Sequence, residues 1–101
     1  MPRPRICRRV RFNPELTYFK PQGKPLGELE EVNLSVDEFE AIRLKDFESL
    51  GQEECAKRMN ISQPTFHRIL TSARKTISDA LLNGKAIKIG GGNYRLENKK
   101  R

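Results

Sequence analysis

The chain is poor in the residues from which active sites, metal sites and thick cores are built. Its 101 residues include one His, two Cys and no Trp, and only 36% are hydrophobic, against ~45–50% in a typical globular domain. With no paired carboxylates in an apolar setting, these residues give no nucleophile–base set, so we expect no enzyme. They give no spaced ligand set either, so we expect no metal site and no cofactor. A core this thin would be completed by a partner or a second copy of the chain.

Long apolar runs are also missing. No stretch approaches the ~18 residues of a membrane-spanning helix, and the basic start MPRPRICRRVRF lacks the apolar segment of a signal peptide. We therefore expect a cytoplasmic protein. Cys7 and Cys55 lie far apart and neither belongs to a C-x-x-C pair, which disfavours a disulfide framework or a four-cysteine zinc site. We interpret Cys55 as a small core residue and Cys7 as a free thiol near a tail, with redox or metal sensing as the alternative for Cys7.

Acidic residues are scarce at both ends of the chain and concentrated in its middle. Residues 1–27 carry seven Lys and Arg against one Glu, residues 28–54 carry two against ten acidic residues, and residues 55–101 carry eleven against two. A negatively charged partner would therefore meet the two basic ends and not the acidic middle. The alternative is charge that only solvates the surface.

The middle of the chain begins with two predicted helices. Ser35 followed by Glu38 forms a capping box, which predicts a helix ending near residue 47 or 48. Gly51 then permits a turn before a second helix, roughly Gln52 to Met59. The predicted core side chains of the first helix are Val36, Phe39, Ile42 and Leu50.

A third, longer helix follows. Ser62 is a favourable N-cap, Pro64 fits the first turn, and Gly84 suits a C-cap. At ~100° per residue, one arc of this helix is apolar and predicts its buried side. That arc contains Phe66, Ile69, Leu70, Ala73, Ile77 and Leu81. Almost opposite it lie Pro64, Arg68, Thr71 and Lys75.

Strand patterns flank the helices on both sides. In ICRRVRF, residues 6–12, every second residue shares one face, and KPQGKPLG, residues 20–27, reads as a loop. Tyr18 and Phe19 are expected to anchor this segment to the core. Residues 87–96 alternate around GGGN and predict a β-hairpin, followed by the solvated tail ENKKR.

The fold class that follows is mainly α, with a tri-helical helix-turn-helix core. A small β element comes from the N-terminal segment and the C-terminal hairpin. We divide the chain into a basic arm and loop (1–27), a helix-turn-helix domain (28–84), and a β-hairpin with a basic tail (85–101).

The second and third helices have the spacing of a helix-turn-helix. In this motif one face of the later helix packs on its partner, and the other face enters the major groove of DNA. Cys55, Ala56 and Ala73 are small enough to let helices approach closely, and Met59 and Ile61 can fill the corner.

The exposed face of the third helix supplies the candidate DNA contacts. Residues near its N-terminal end are expected to contact bases: Gln63, Thr65, His67 and Arg68. Residues farther along, on the second helix and in the arm are expected to contact phosphates: Thr71, Arg74, Lys75, Lys57, Arg58, Arg3, Arg5, Arg8 and Arg9.

These motifs carry a resemblance to known proteins. The segment LSVDEFEAIRLKDFESLGQEECAKRMNISQPTFHRILTSARKTI resembles region four of bacterial sigma factors. The whole chain, through MPRPR, TYFKP, ELEEV, EAIRL, QEECAKRM, SARK and GKAIKI, resembles a prokaryotic family of small, uncharacterised proteins predicted to bind DNA. The resemblance implies double-stranded DNA binding and a role in transcription regulation.

Other functions remain open at this point. The helix pair could be a structural hairpin or a module that docks another protein, and the arginine-rich arm could be a solvated tail. An RNA-binding protein would expose stacking aromatics on a sheet, for which only Tyr94 is a fair candidate. We also expect a homodimer or higher homo-oligomer assembled through the terminal β segments and the acidic helix, whose acidic face could instead bind RNA polymerase.

Overall fold

The computed structural model describes residues 8–10, 17–23, 25–92 and 94–96. Their architecture is mainly helical with small β elements, as the sequence predicts. In chain order the elements are β1 (Arg8–Val10), β2 (Tyr18–Phe19), a 3-10 turn (Leu26–Glu28), β3 (Glu31–Leu34), α1 (Val36–Ile42), α2 (Gln52–Met59), α3 (Gln63–Asn83), β4 (Ala86–Ile89) and β5 (Tyr94–Leu96).

The capping box predicted at the start of α1 is present. The Ser35 hydroxyl accepts from the Glu38 N–H at 3.4 Å, and the Glu38 carboxylate accepts from the Ser35 N–H at 3.0 Å. The helix continues beyond α1 as a π-helical segment over Arg43–Phe47. Its wider turns are closed by a bond from the Glu48 N–H to the Arg43 carbonyl at 2.9 Å. The helical chain therefore ends where predicted, but its last turns are not α-helical.

The turn between α2 and α3 is short and well bonded. Asn60 adopts the left-handed conformation at φ 60°, which Asn tolerates better than most residues. The Ile61 N–H donates to the Ala56 carbonyl at 3.0 Å, and the Ser62 hydroxyl accepts from the Thr65 N–H at 3.3 Å. These bonds confirm the predicted ends of both helices and the three-residue break between them.

One hydrophobic cluster joins α1, α2 and the first half of α3. Its fully buried members include Leu44, Met59 and Phe66, and Ile61 packs against its edge. Cys55 and Ala56 lie inside it, which confirms their predicted place between α2 and α3. The complete cluster is Ala41, Leu44, Cys55, Ala56, Met59, Phe66, Ile69 and Leu70, with Ile42, Leu50 and Ile61 alongside.

A second cluster joins the later half of α3 to the strands. Ala73 packs there with Leu34 and Ile89, and not against α2 as expected. Leu81, predicted to be buried, is 75% exposed, and Ala80 at 3% closes this end of the core. Ala80 and Leu81 point in directions that differ by ~100° around the helix axis, so the burial of Ala80 leaves Leu81 largely in solvent.

The prediction of a C-terminal β-hairpin, made from the alternating residues, is wrong. Strand β4 lies in the centre of a three-stranded sheet, antiparallel to β2 and parallel to β3, so both of its edges are occupied. Strand β5 pairs in parallel with β1 instead. The fold thus joins residues 8–10 to residues 94–96 beside α1 and α2.

The glycine run between β4 and β5 explains this outcome. Gly90 donates its N–H to the Leu34 carbonyl at 3.0 Å, and the Val36 N–H donates to the Gly91 carbonyl at 3.0 Å. The chain therefore crosses the start of α1 and does not fold back on β4. Gly91 and Gly92 have φ values of 76° and 95°, which favour glycine.

The N-terminal strand is present over Arg8–Val10, and Val10 is fully buried. Predictions for the rest of 6–12 and for the tail 97–101 lie outside the described residues. Tyr18 holds its segment by donating its hydroxyl to Glu31 at 2.7 Å. Phe19, expected to be an anchor, is half exposed.

Candidate nucleic-acid interface

The first half of α3 exposes a row of polar side chains on the side away from the core. The row comprises Gln63, His67, Arg68, Thr71 and Lys75, all exposed. The opposite side of the same turns carries the fully or nearly buried Phe66, Ile69 and Leu70. The face that the sequence assigned to DNA is therefore a solvent-facing surface on a packed helix.

A hydrogen-bond network orders the beginning of this row. The Ser62 hydroxyl donates to Thr65 Oγ1 at 2.9 Å, and Arg68 Nη2 donates to the same oxygen at 3.4 Å. Thr65 is only half exposed. The structure thus places Thr65 as a support that holds the Arg68 guanidinium near the helix start.

A second contact links α2 to the row and was missed by sequence reasoning. Gln52 Nε2 lies 3.3 Å from His67 Nδ1. Gln52 is the first residue of α2, and only the crossing of the two helices brings it to His67, 15 positions later. No local sequence pattern could have indicated this pair.

Three of the arginines assigned to phosphates are paired with carboxylates of the same chain. Arg74 donates to both oxygens of Asp46, at 2.6 and 3.2 Å. Arg58 contacts Glu54 at 2.9 Å. Arg8 lies 3.8 Å from Asp37. Each of these three arginines therefore already has an acidic partner within the chain.

The closest of these pairs shifts the pKa values of its members. Hydrogen bonding to Arg74 lowers the pKa of Asp46, and the bond to Asp46 raises the pKa of Arg74. Hydrogen bonding to Arg58 likewise lowers the pKa of Glu54. Each carboxyl is therefore charged at neutral pH and partly neutralises its arginine.

The remaining phosphate candidates differ in their availability. Lys57 and Lys75 are exposed and form no ion pair with any described residue. Arg9 is exposed on β1. Arg3 and Arg5 lie outside the described residues.

Some acidic side chains of α1 face inward. Glu40 is 1% exposed and receives two hydrogen bonds from Arg43, at 2.8 and 3.0 Å. Glu38 accepts the Ser72 hydroxyl of α3 at 2.6 Å. Glu40 therefore stabilises the end of α1, and Glu38 links α1 to α3.

The structure was also searched for metal-ligand groups and for helices that could span a membrane. Within the described part of the chain, no three His, Cys, Asp or Glu side chains are grouped to hold a metal ion. Among the described helices, none has the length and apolar character needed to cross a membrane.

The comparisons with known proteins agree on one family. The model of "Protein of unknown function DUF134" matches residues 1–97. The chain belongs to the DUF134 family. A UPF0251 protein of Moorella thermoacetica is 66% identical over 96 residues, which are 95% of this chain and 64% of that protein. A UPF0251 protein of Caldanaerobacter subterraneus subsp. tengcongensis is 64% identical over 95% of this chain and 81% of its own length.

This DUF134 chain therefore spans less than two thirds of the Moorella relative that it matches. No solved structure matches the chain. Both relatives carry the family designation UPF0251 and no activity in their names. The inference of function therefore rests on the geometry of the helices.

Proposed function

We propose that this DUF134 protein binds double-stranded DNA in a sequence-dependent manner and regulates transcription in the cytoplasm. The observation that carries the proposal is the α2–turn–α3 unit, which buries one side of α3 and exposes a row of hydrogen-bonding side chains on the other. This is the arrangement by which a helix-turn-helix places its second helix in the major groove.

The dimensions of α3 suit this role. A helix of 21 residues is ~31 Å long, whereas the major groove is ~12 Å wide. The groove would therefore receive one end of the helix. Gln63, His67 and Arg68 lie within the first two turns, where base contacts are usual.

The chemistry of these side chains matches base edges. Arg68 offers a planar guanidinium that can donate twice to guanine, and Gln63 offers an amide that can pair with adenine. Lys57 and Lys75, exposed on either side of the turn, are suited to phosphates. The excess of basic over acidic residues in positions 55–101, eleven against two, attracts the same polyanion.

Selection from a random pool of double-stranded DNA tests the proposal directly. We expect enrichment of a defined motif, with binding that weakens as salt is raised. A parallel pool of single-stranded RNA serves as the control for the RNA-binding alternative. A pool that shows weak, salt-labile binding without any enriched motif would contradict the proposal and favour a protein-docking adaptor.

A further inference from the structure

The Gln52–His67 contact constrains the protonation of the imidazole. The side-chain amide nitrogen of Gln52 lies 3.3 Å from His67 Nδ1 and can only donate, so the two atoms form a hydrogen bond in the tautomer whose Nδ1 accepts. A neutral imidazole whose Nδ1 accepts carries its proton on Nε2. Because the two ring nitrogens point in different directions, Nε2–H is directed away from Gln52 and α2.

We propose that Gln52 is a positioning residue that makes His67 a hydrogen-bond donor and thereby excludes cytosine from one position of the DNA site. The inference rests on the proposed DNA-binding function. In the major groove guanine presents two acceptors, N7 and O6, whereas cytosine presents a donor and adenine one donor and one acceptor. Both guanine acceptors, adenine N7 and thymine O4 can accept from such a donor, whereas cytosine offers no acceptor.

Arg68 supplies a second, independent donor on the same face. It is held by Thr65 at 3.4 Å and not by Gln52. Consecutive residues of a helix differ by ~100° in direction, so His67 and Arg68 address different positions. The site should therefore contain one position that rejects cytosine and depends on Gln52, and a second position, read by Arg68, that does not depend on Gln52.

Two substitutions of Gln52 test the contact in different ways. One removes the hydrogen bond to His67, and the other exchanges its donor and acceptor. Gln52→Leu keeps a similar volume but cannot donate. Gln52→Glu offers only acceptor oxygens, so the facing Nδ1 must carry a proton. Asn60→Asp is the matched control, because it adds the same negative charge at an exposed position of the turn.

The first readout is the nitrogen spectrum of the imidazole in the free protein. The chain has one His, so its signals need no further assignment. We expect unprotonated Nδ1 and protonated Nε2 in the unaltered protein and in Asn60→Asp, and protonated Nδ1 in Gln52→Glu. An unchanged spectrum in Gln52→Glu would overturn the inference.

The second readout is the motif enriched from random double-stranded DNA. Gln52→Leu should relax the discrimination against cytosine at one position roughly tenfold and keep the preference at the position read by Arg68. A motif identical for the unaltered protein and both Gln52 variants would overturn the inference alone. No enriched motif with the unaltered protein would overturn the proposed function together with it.

Discussion

Arg68 is the exposed side chain of α3 with the clearest potential to read a base. Its guanidinium is held by Thr65, which is in turn held by the N-cap Ser62. A donor ordered before binding loses less conformational entropy when it meets its acceptor. The cap of the helix and the candidate contact are therefore parts of one hydrogen-bond network.

We predict that Arg68→Ala weakens binding to the selected DNA site by ~1–3 kcal/mol while the fold is retained. Gln63→Ala should act in the same direction. Lys88→Ala is a suitable control, since Lys88 is equally charged but exposed on β4. Titrations on the selected site and on random DNA provide the measurement, and equal losses on both would leave Arg68 with only a phosphate contact.

Gly92 is a second residue whose environment permits a sharp prediction. A Cβ atom at this position would lie 2.5 Å from Asp37 Oδ1 and 2.7 Å from Ser35 Cβ, in a backbone with φ 95°. We expect Gly92→Ala to lower the free energy of unfolding by ~1–3 kcal/mol, from both the clash and the strain.

Gly90→Ala is the matched control in the same loop. A Cβ atom at Gly90 meets nothing within 4 Å, and its φ is not in the left-handed region. Denaturant unfolding of the two variants should differ clearly. Equal stability of both would show that the loop does not pack closely on the start of α1.

At the scale of elements, the Asp46–Arg74 ion pair connects the acidic region that follows α1 to the basic α3. Asp46, in the π-helical segment, holds Arg74 through two hydrogen bonds. Because Arg74 lowers the pKa of Asp46, the pair adds stability above the pKa of Asp46 in the unfolded chain. That stability disappears as the pH falls through the lowered pKa of the folded state.

We predict that Asp46→Asn strengthens DNA binding at neutral pH. Removing the carboxylate leaves Arg74 with its full charge for a phosphate, so the slope of log affinity against log salt should steepen by ~0.9. The cost in folding stability should be at most ~1 kcal/mol, since the pair is largely exposed. An unchanged slope would show that Arg74 does not reach DNA.

The basic arm is the second element that can be tested through salt. Deleting residues 1–11 would remove the fully buried Val10 and strand β1. Replacing Arg3 and Arg5 with Ala avoids this and should flatten the slope of log affinity against log salt by ~0.9 for each phosphate that the arm then leaves unneutralised. Binding that depends on salt as steeply as before would mean that these two arginines do not touch DNA.

At the scale of the whole molecule, the small size of the chain leads us to expect an oligomer. One helix in one groove reads few base pairs, and paired helix-turn-helix modules reach successive grooves ~34–36 Å apart. The acidic residues of α1 largely pair within the chain, and β1 pairs with β5. Exposed apolar surface remains at the end of α3, where Leu81 and Leu82 are 75% and 83% exposed.

We predict a homodimer or a higher homo-oligomer whose DNA site contains two related half-sites. Light scattering at micromolar protein checks the mass, and Leu82→Ser should weaken the assembly. Phe47→Ser separates the two candidate surfaces, because Phe47 is 81% exposed at the end of the acidic helix and its loss should weaken the assembly only if that helix takes part. A protein mass near 11.7 kDa, found both for the free protein and for the protein bound to each DNA duplex, would contradict the prediction.

The sequence by itself determined where the helices begin and end and which side of α3 is exposed. Ser35, Ser62 and Gly84 act within a few residues of their own position, so the ends of the helices follow from local hydrogen bonds and backbone preference. The buried and exposed sides of the first half of α3 follow from the period of the helix. For this reason the sequence alone predicts the row of exposed polar side chains on α3.

Only the tertiary structure decided which strands pair and which charges are neutralised. β4 pairs with β2 and β3, segments that lie tens of residues earlier, and alternation alone cannot choose among such partners. Asp46 and Arg74 are 28 positions apart, and Gln52 and His67 are 15 apart. Such contacts depend on how the packed cores orient α1 and α2 against α3, because no local pattern connects residues at these distances along the chain.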